Sequence, residues 1–286
     1  MSLKRILVLA SGSPEDRTAL DFGAWIAGQH RAHADVLPVY PDAAADTVAM
    51  GLTLGAVLLP EAVAELAAAE RGLQGQIEQA AREAAHAVDV VYGEGEGVPR
   101  LCVLSRGLRP DLALSRQTPL CDLVILSQEE VQAGGAYHLV SQALLGDRVP
   151  ILIARGDPDT LSGDAAIAWD GSAQAGRAVR AALPLLAMAS AIHILQCERT
   201  LDRTVADPDV DRLNAYLKLH GVGSGTLTLV EGPRDGEAMA AMAEAQQVGL
   251  LVAGAWGHSR LQETLFGGAT RSLLHRVSGP SLLMAH

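Results

Sequence analysis

Gly254-Ala255-Trp256-Gly257 is followed, nine residues later, by Gly267-Gly268-Ala269-Thr270. The first pair ends an apolar run, Gly249-Leu250-Leu251-Val252-Ala253, and the second opens a helical pattern reaching about Val277. Glycine lacks a Cβ and tolerates positive φ, so the N–H groups of Gly254, Gly257, Gly267 and Gly268 can converge on one point. A helix N-terminus adds unpaired N–H groups and the positive end of a dipole, which suits phosphate. No Gly-Lys-Ser/Thr follows, so this is not a Walker A loop. The plainer alternative is that these glycines are turn and cap residues.

Other chemistry-bearing groups are sparse. Arg260 could reach a phosphate as a planar fork donor, with His258 beside it. His258, His275 and His286 lack metal-ligand spacing. Asp207, Asp209 and Asp211 lack the glycine and terminal glutamate of a calcium loop and read as a helix start. Trp256, between two glycines, reads as a packing residue, and no Gly-x-Ser-x-Gly elbow or Cys/His pairing is present. No general base or nucleophile stands out.

The elements that must position the glycine loop come in two similar sets. Arg5-Ile6-Leu7-Val8-Leu9-Ala10 ends in Ser-Gly-Ser-Pro and leads into a helical pattern; Ala165 to Trp169 ends in Asp170-Gly171-Ser172 and does the same. An apolar run closed by Gly/Ser and followed by a helix is the mark of a buried parallel strand. Each half also ends alike, with Asp122–Leu126, a helix and Val149–Ala154 in the first, and Gly249–Ala253, a helix and Gly279–Ala285 in the second. Two more strands per half are expected, at residues 34–40 and 100–104, then at 191–196 and 226–230. Pro60 opens a helix running to about Val88. The chain divides into residues 1–155, a polar linker 156–164, and residues 165–286. The fold class is α/β, two tandem five-stranded parallel-sheet sandwiches of Rossmann-like type, with ligands expected beyond the carboxyl ends of the strands.

Gly254-x2-Gly257-x9-Gly267, with Asp170 closing the first strand of its half, resembles the universal stress protein domain, a relative of the adenine nucleotide α-hydrolase-like fold. The resemblance spans residues 165–286 strongly and 4–155 weakly, as in a tandem universal stress protein. It implies an adenine nucleotide, ATP or another, with no metal beyond the nucleotide's own Mg. It places Ala168 and Asp170 at the base and sugar, and Ala253 and Gly254 behind the ribose. Gly257, Gly267, Gly268, Ala269 and Thr270 would surround the phosphates. Gly268 stands where the family has Ser or Thr, which removes a side-chain hydrogen bond worth about 1–3 kcal/mol if the partner is charged. The resemblance also implies that the last strands of the two halves meet, the halves packing against each other as a pseudo-dimer of separate sheets.

The first half departs from that pattern. Its first strand ends Ala10-Ser11-Gly12-Ser13 without the aspartate, and Ser127-Gln128-Glu129-Glu130 replaces the first glycine pair. Two carboxylates there would repel phosphate, so this half is expected to be a degenerate domain that binds no ATP.

The 22 basic and 33 acidic side chains give a net charge of −11, and no basic stretch offsets it. That disfavours nucleic-acid and anionic-membrane partners. Hydrophobic residues make up 49% of the chain, enough for sizeable cores. Three cysteines with no CxxC point to a reducing compartment. No apolar run reaches the ~18 residues of a membrane span, so a cytoplasmic protein is expected. The leading functional class is a stress-response or regulatory protein binding nucleotide with little or no turnover, in which a homodimer is allowed. The alternatives are a weak ATP hydrolase, disfavoured because neither first-strand loop carries Ser-Gly-Gly-x-Asp-Ser, and a module for another small molecule or a protein.

Overall fold

The computed structural model describes residues 2–40, 47–48, 60–95, 97–105, 109–132, 136–232, 235–255, 272–276 and 278–286. In the first half the order is β1 (Arg5–Ala10), α1 (Asp16–His30), β2 (His33–Pro38), α2 (Pro60–Ala87), β3 (Val91–Tyr92), β4 (Arg100–Val103), α3 (Pro110–Gln117), β5 (Leu123–Ser127), α4 (Gln128–Gln132), α5 (Tyr137–Ser141) and β6 (Ile151–Ala154). A short 3-10 turn over Pro158–Ser162 occupies the linker. The second half follows with β7 (Ala165–Ala168), α6 (Ala173–Leu186), β8 (Ile192–Gln196), α7 (Val210–Leu219), β9 (Gly225–Leu229), α8 (Asp235–Ala245), β10 (Leu250–Gly254) and β11 (Ser281–Ala285). Residues 272–274, just before β11, are helical.

The strands form one sheet in the order β3-β4-β2-β1-β5-β6-β11-β10-β7-β8-β9. Within each half every pairing is parallel, and β6 pairs antiparallel with β11, Leu152 opposite Leu283. The last strands do meet, but edge to edge through hydrogen bonds. The expectation of two separate packed sheets is therefore corrected to a single continuous sheet. The cause lies in composition: Ile-Leu-Ile-Ala and Ser-Leu-Leu-Met-Ala are buried along their whole length. Left as free edges, such strands would expose apolar faces and unpaired backbone groups, and mutual pairing removes both costs. The first half also holds a sixth, two-residue strand, β3, outside β4.

Side chains alternate along each strand between two cores. Ile6, Val8, Phe22, Ile26, Ile167, Leu183, Ile194 and Leu283 lie on the face covered by α1, α2, α6 and α7. Leu7, Leu9, Leu114, Leu139, Ile153, Leu195, Ala240 and Leu282 lie on the other. Each core runs across both halves. Trp25 on α1 adds a tie, its indole N–H donating to Asp159 of the linker over 2.6 Å. Among the described residues no helix is long and apolar enough to cross a membrane.

Candidate functional site

In each half the chain builds outward from its first strand in one direction and then returns to the other side. The strand order therefore reverses between β7 and β10, and between β1 and β5. Crevices at the carboxyl ends of such strand pairs are where α/β sheets bind ligands.

In the second half, Ala168 ends β7 directly beside Ala253 on β10. Asp170 then shapes the turn: one carboxylate oxygen accepts the Ser172 N–H at 2.9 Å. Ser172 caps α6 by accepting the Ala175 N–H at 3.1 Å, as a serine N-cap should. Gly171 has φ 75°, and a Cβ there would run into the backbone carbonyl of Asp207, so only glycine fits. Gly254 sits under the helix start. A Cβ on it would lie 2.6 Å from the Ala175 nitrogen and 2.8 Å from the Gln174 carbonyl carbon. The first turn of α6, with its positive dipole end, thus rests on the end of β10. Ala168, Asp170, Ala253 and Gly254 are brought together. Gly257, Gly267, Gly268, Ala269 and Thr270 lie outside the described residues, as do Trp256, His258 and Arg260.

A cleft of about 410 Å³ opens between α6 and α7, bordered by Trp169, Ser172, Arg177, Arg180, Arg212 and Tyr216. Arg212 pairs with Asp207 at 2.7 Å. The aspartate trio does begin a helix: Asp209 caps α7 by accepting the Arg212 N–H at 3.0 Å. A second cleft, about 520 Å³, lies at the ends of β8 and β9. Glu198, Glu231 and Asp235 border it, against one cation, Arg199, which makes it poor for phosphate. Cys197 borders it too, and burial together with Asp235 pushes its thiol up to about 11, leaving it protonated near neutral pH.

The matching crevice of the first half is filled from within. Asp16 is buried and accepts the backbone N–H groups of Ser11 (2.9 Å) and Gly12 (2.7 Å). Burial holds its carboxyl up at about 6, against those hydrogen bonds, with Glu130 adding to the rise. Glu130, on α4, accepts the hydroxyls of Ser11 at 2.6 Å and Ser13 at 3.0 Å. Sequence reasoning counted Glu129 and Glu130 together as repulsive charge. The geometry separates them, since Glu129 is exposed and Glu130 is bonded across the crevice.

A second network escaped the sequence. Arg155, at the end of β6, is buried and donates to Gln128 Oε1 from Nε and Nη2 (2.9 and 2.6 Å). It also donates to the carbonyls of Leu273 (2.9 Å) and Pro280 (2.8 Å). Gln128 donates to the Leu274 carbonyl at 2.8 Å, and Tyr137 stacks on His275 with ring centroids 5.8 Å apart. The first half thereby grips the segment that follows the glycine loop. Burial and the neighbouring Arg276 lower the Arg155 guanidinium to about 10, so it stays charged at neutral pH. Among the described residues no group of three or more His, Cys, Asp or Glu is arranged to hold a metal ion.

Comparison with known proteins fits this architecture. The chain is similar to a universal stress protein from Archaeoglobus fulgidus DSM 4304, at 15% identity and a TM-score of 0.65, over 99% of this chain and 96% of that one. It is also similar to a functionally unknown protein from Pseudomonas aeruginosa PAO1, at 16% identity and a TM-score of 0.54, over 98% and 92%. At such identities the likeness speaks for the fold alone. No curated protein is similar enough to be matched. The model of the universal stress protein family matches twice, over residues 2–114 and 165–284, and with most of its length matched the chain belongs to the universal stress protein family.

Proposed function

We propose that this protein is a cytoplasmic stress-response protein that binds one adenine nucleotide, ATP by preference, in the crevice between β7 and β10, with little or no turnover. The observation that carries the reading is the seating of the α6 N-terminus on Gly254. It sets a dipole end and an Asp-Gly-Ser turn at the point where the Gly-x2-Gly-x9-Gly run begins. Asp170 and Ala168 would hold the adenosine, and Ala253 and Gly254 would back the ribose. Gly257, Gly267, Gly268, Ala269 and Thr270 would hold the phosphates with their Mg. Binding without turnover is supported by the chemistry nearby, where Cys197 is a protonated thiol and Asp170 is engaged in its turn.

The first half would be a degenerate partner. The Glu130 carboxylate on Ser11 and Ser13 supports this, since it sets a negative charge where a phosphate would have to enter. Titration of the whole chain with a fluorescent ATP analogue tests both statements. One site per chain is expected, with binding lost in Gly257→Val and Gly267→Val and weakened in Asp170→Ala. Two equivalent sites, or Val variants that bind like the parent, would overturn the reading. Mass spectrometry of co-purifying small molecules tests the choice of ligand.

A further inference from the structure

The two ends of the sheet are not alike. By the order of strands β4 and β9 occupy corresponding positions in their halves, yet β4 carries β3 on its outer side and β9 pairs, among the described residues, with β8 alone. Gly225–Leu229 contains no charge and no proline, the usual guards of an open edge.

The backbone directions can be read from the hydrogen bonds. Val230 N–H donates inward to the Gln196 carbonyl at 2.8 Å. Thr228 and Thr226, two and four residues back, therefore also face β8, and Gly225, Leu227 and Leu229 turn their N–H and C=O groups outward. Gly225 is already satisfied. Its N–H donates to Asn214 Oδ1 at 2.7 Å, and its carbonyl accepts from Asn214 Nδ2 at 3.1 Å. What remains to pair is Leu227 and Leu229, whose side chains share one face and are 43% and 51% exposed.

We propose that β9 is a self-association edge at which a second copy of this chain pairs antiparallel about a two-fold axis through Thr228. In that register Leu227 of one copy opposes Leu229 of the other. Both outward residues then exchange N–H···O bonds, four bonds in all, and the half-exposed leucines meet across the joint. The Asn214 amide fixes the register by withholding Gly225. A second copy fits better than a foreign strand because the open segment is self-complementary, its two free positions being each other's partners. The chain already joins two sheets in this manner at β6 and β11. A joint this small lies below the usual size of a stable interface, so the dimer should be weak, with a Kd in the micromolar range or above. Two chains of net charge −11 repel, so added salt should favour it.

Sedimentation equilibrium on the full chain, from about 1 μM to a few hundred μM, should show a monomer–dimer equilibrium that shifts toward dimer at higher salt. Leu229→Lys, at an exposed position, should weaken it at least about tenfold without changing the melting temperature. Thr228→Cys places two thiols at the close, non-hydrogen-bonded pair, and mild oxidation should cross-link it into dimers under conditions where the parent chain is not cross-linked. A monomer throughout the range, a dimer unaffected by Leu229→Lys, or a Thr228→Cys chain that does not cross-link would each overturn the proposal.

Discussion

The hydroxyl of Ser11 donates to the carboxylate of Glu130 over 2.6 Å, joining the loop after β1 to the helix after β5. These are the two loops that flank the ligand crevice in a sheet of this kind, and here they are tied to each other. Ser11 also donates to Asp16 at 3.2 Å, so one hydroxyl stands between two carboxylates, one of them buried. The first half has thus turned its crevice into a closed polar network.

Breaking this tie should cost stability and nothing else. A hydrogen bond to a charged group is worth about 1.5–3 kcal/mol, and Ser11 and Glu130 are half-buried. A double-mutant cycle with Ser11→Ala and Glu130→Ala should give a coupling of about 1 kcal/mol or more in urea unfolding. A coupling near zero would mean that water replaces the bond.

Asp16 should give the protein a particular pH response. Its carboxyl titrates at about 6 when folded and near 3.8 when unfolded. The native state therefore holds the proton more tightly, and this group favours folding most at low pH. Its contribution is fully present below about 4, is lost as pH rises through about 6, and is flat above. The span is about 2–3 kcal/mol. The stability difference between the parent and Asp16→Asn, followed by denaturation from pH 4 to 7.5, should fall through that window. A difference independent of pH would contradict the assignment.

Arg155→Met should be among the most damaging single changes. It removes the donor from Gln128 and from the buried carbonyls of Leu273 and Pro280. Each stranded acceptor costs about 1–3 kcal/mol, so a loss of about 3 kcal/mol or more is expected. Arg155→Lys should recover less than half, since one ammonium cannot span the same acceptors. Chemical denaturation measures both, and a loss under about 1 kcal/mol for Arg155→Met would show that water takes the vacated place.

Two glycines around α6 should respond to alanine with opposite signs. At Gly254 the new methyl would lie 2.6 Å from the Ala175 nitrogen, so the helix must shift, at about 2 kcal/mol. At Gly176, inside α6, the nearest atom is the Arg180 guanidinium at 3.6 Å, which leaves room. Gly176→Ala should then stabilise by about 0.5–1 kcal/mol. Thermal melts of the two variants decide it, and a shift of the same sign in both would break the argument.

Much of this architecture was legible because burial on both faces forces a strand to be apolar without interruption. That is why Arg5–Ala10 and Ala165–Ala168, and the two closing strands, announced themselves, as did the helix from Pro60. Val91–Tyr92 did not, since two residues carry no period. The joining of β6 to β11 into one sheet was hidden because an all-apolar strand does not say what covers its edge. Arg155 was hidden because its partners are mostly backbone carbonyls, which every residue owns. Gly254 was marked by its motif, and the packing demand of α6 on it became visible only with the helix in place. Asp16 had a weak signal, an aspartate five residues beyond the serine that ends β1.

The joint at β6 and β11 has a consequence for symmetry. In a dimer of identical chains, any contact across the axis must occur twice, and each residue must serve both purposes. Here the two ends are free to differ. Ser127 pairs with Ala154 as Gly254 pairs with Ala285, so Arg155 and Gln128 correspond to His286 and Ala255. The latter pair makes a contact of its own, His286 Nδ1 lying 2.9 Å from the Ala255 carbonyl. A long cationic clamp on one side is thus matched by a short neutral contact on the other. Carrying both copies in one chain lets one half specialise as the holder of the other.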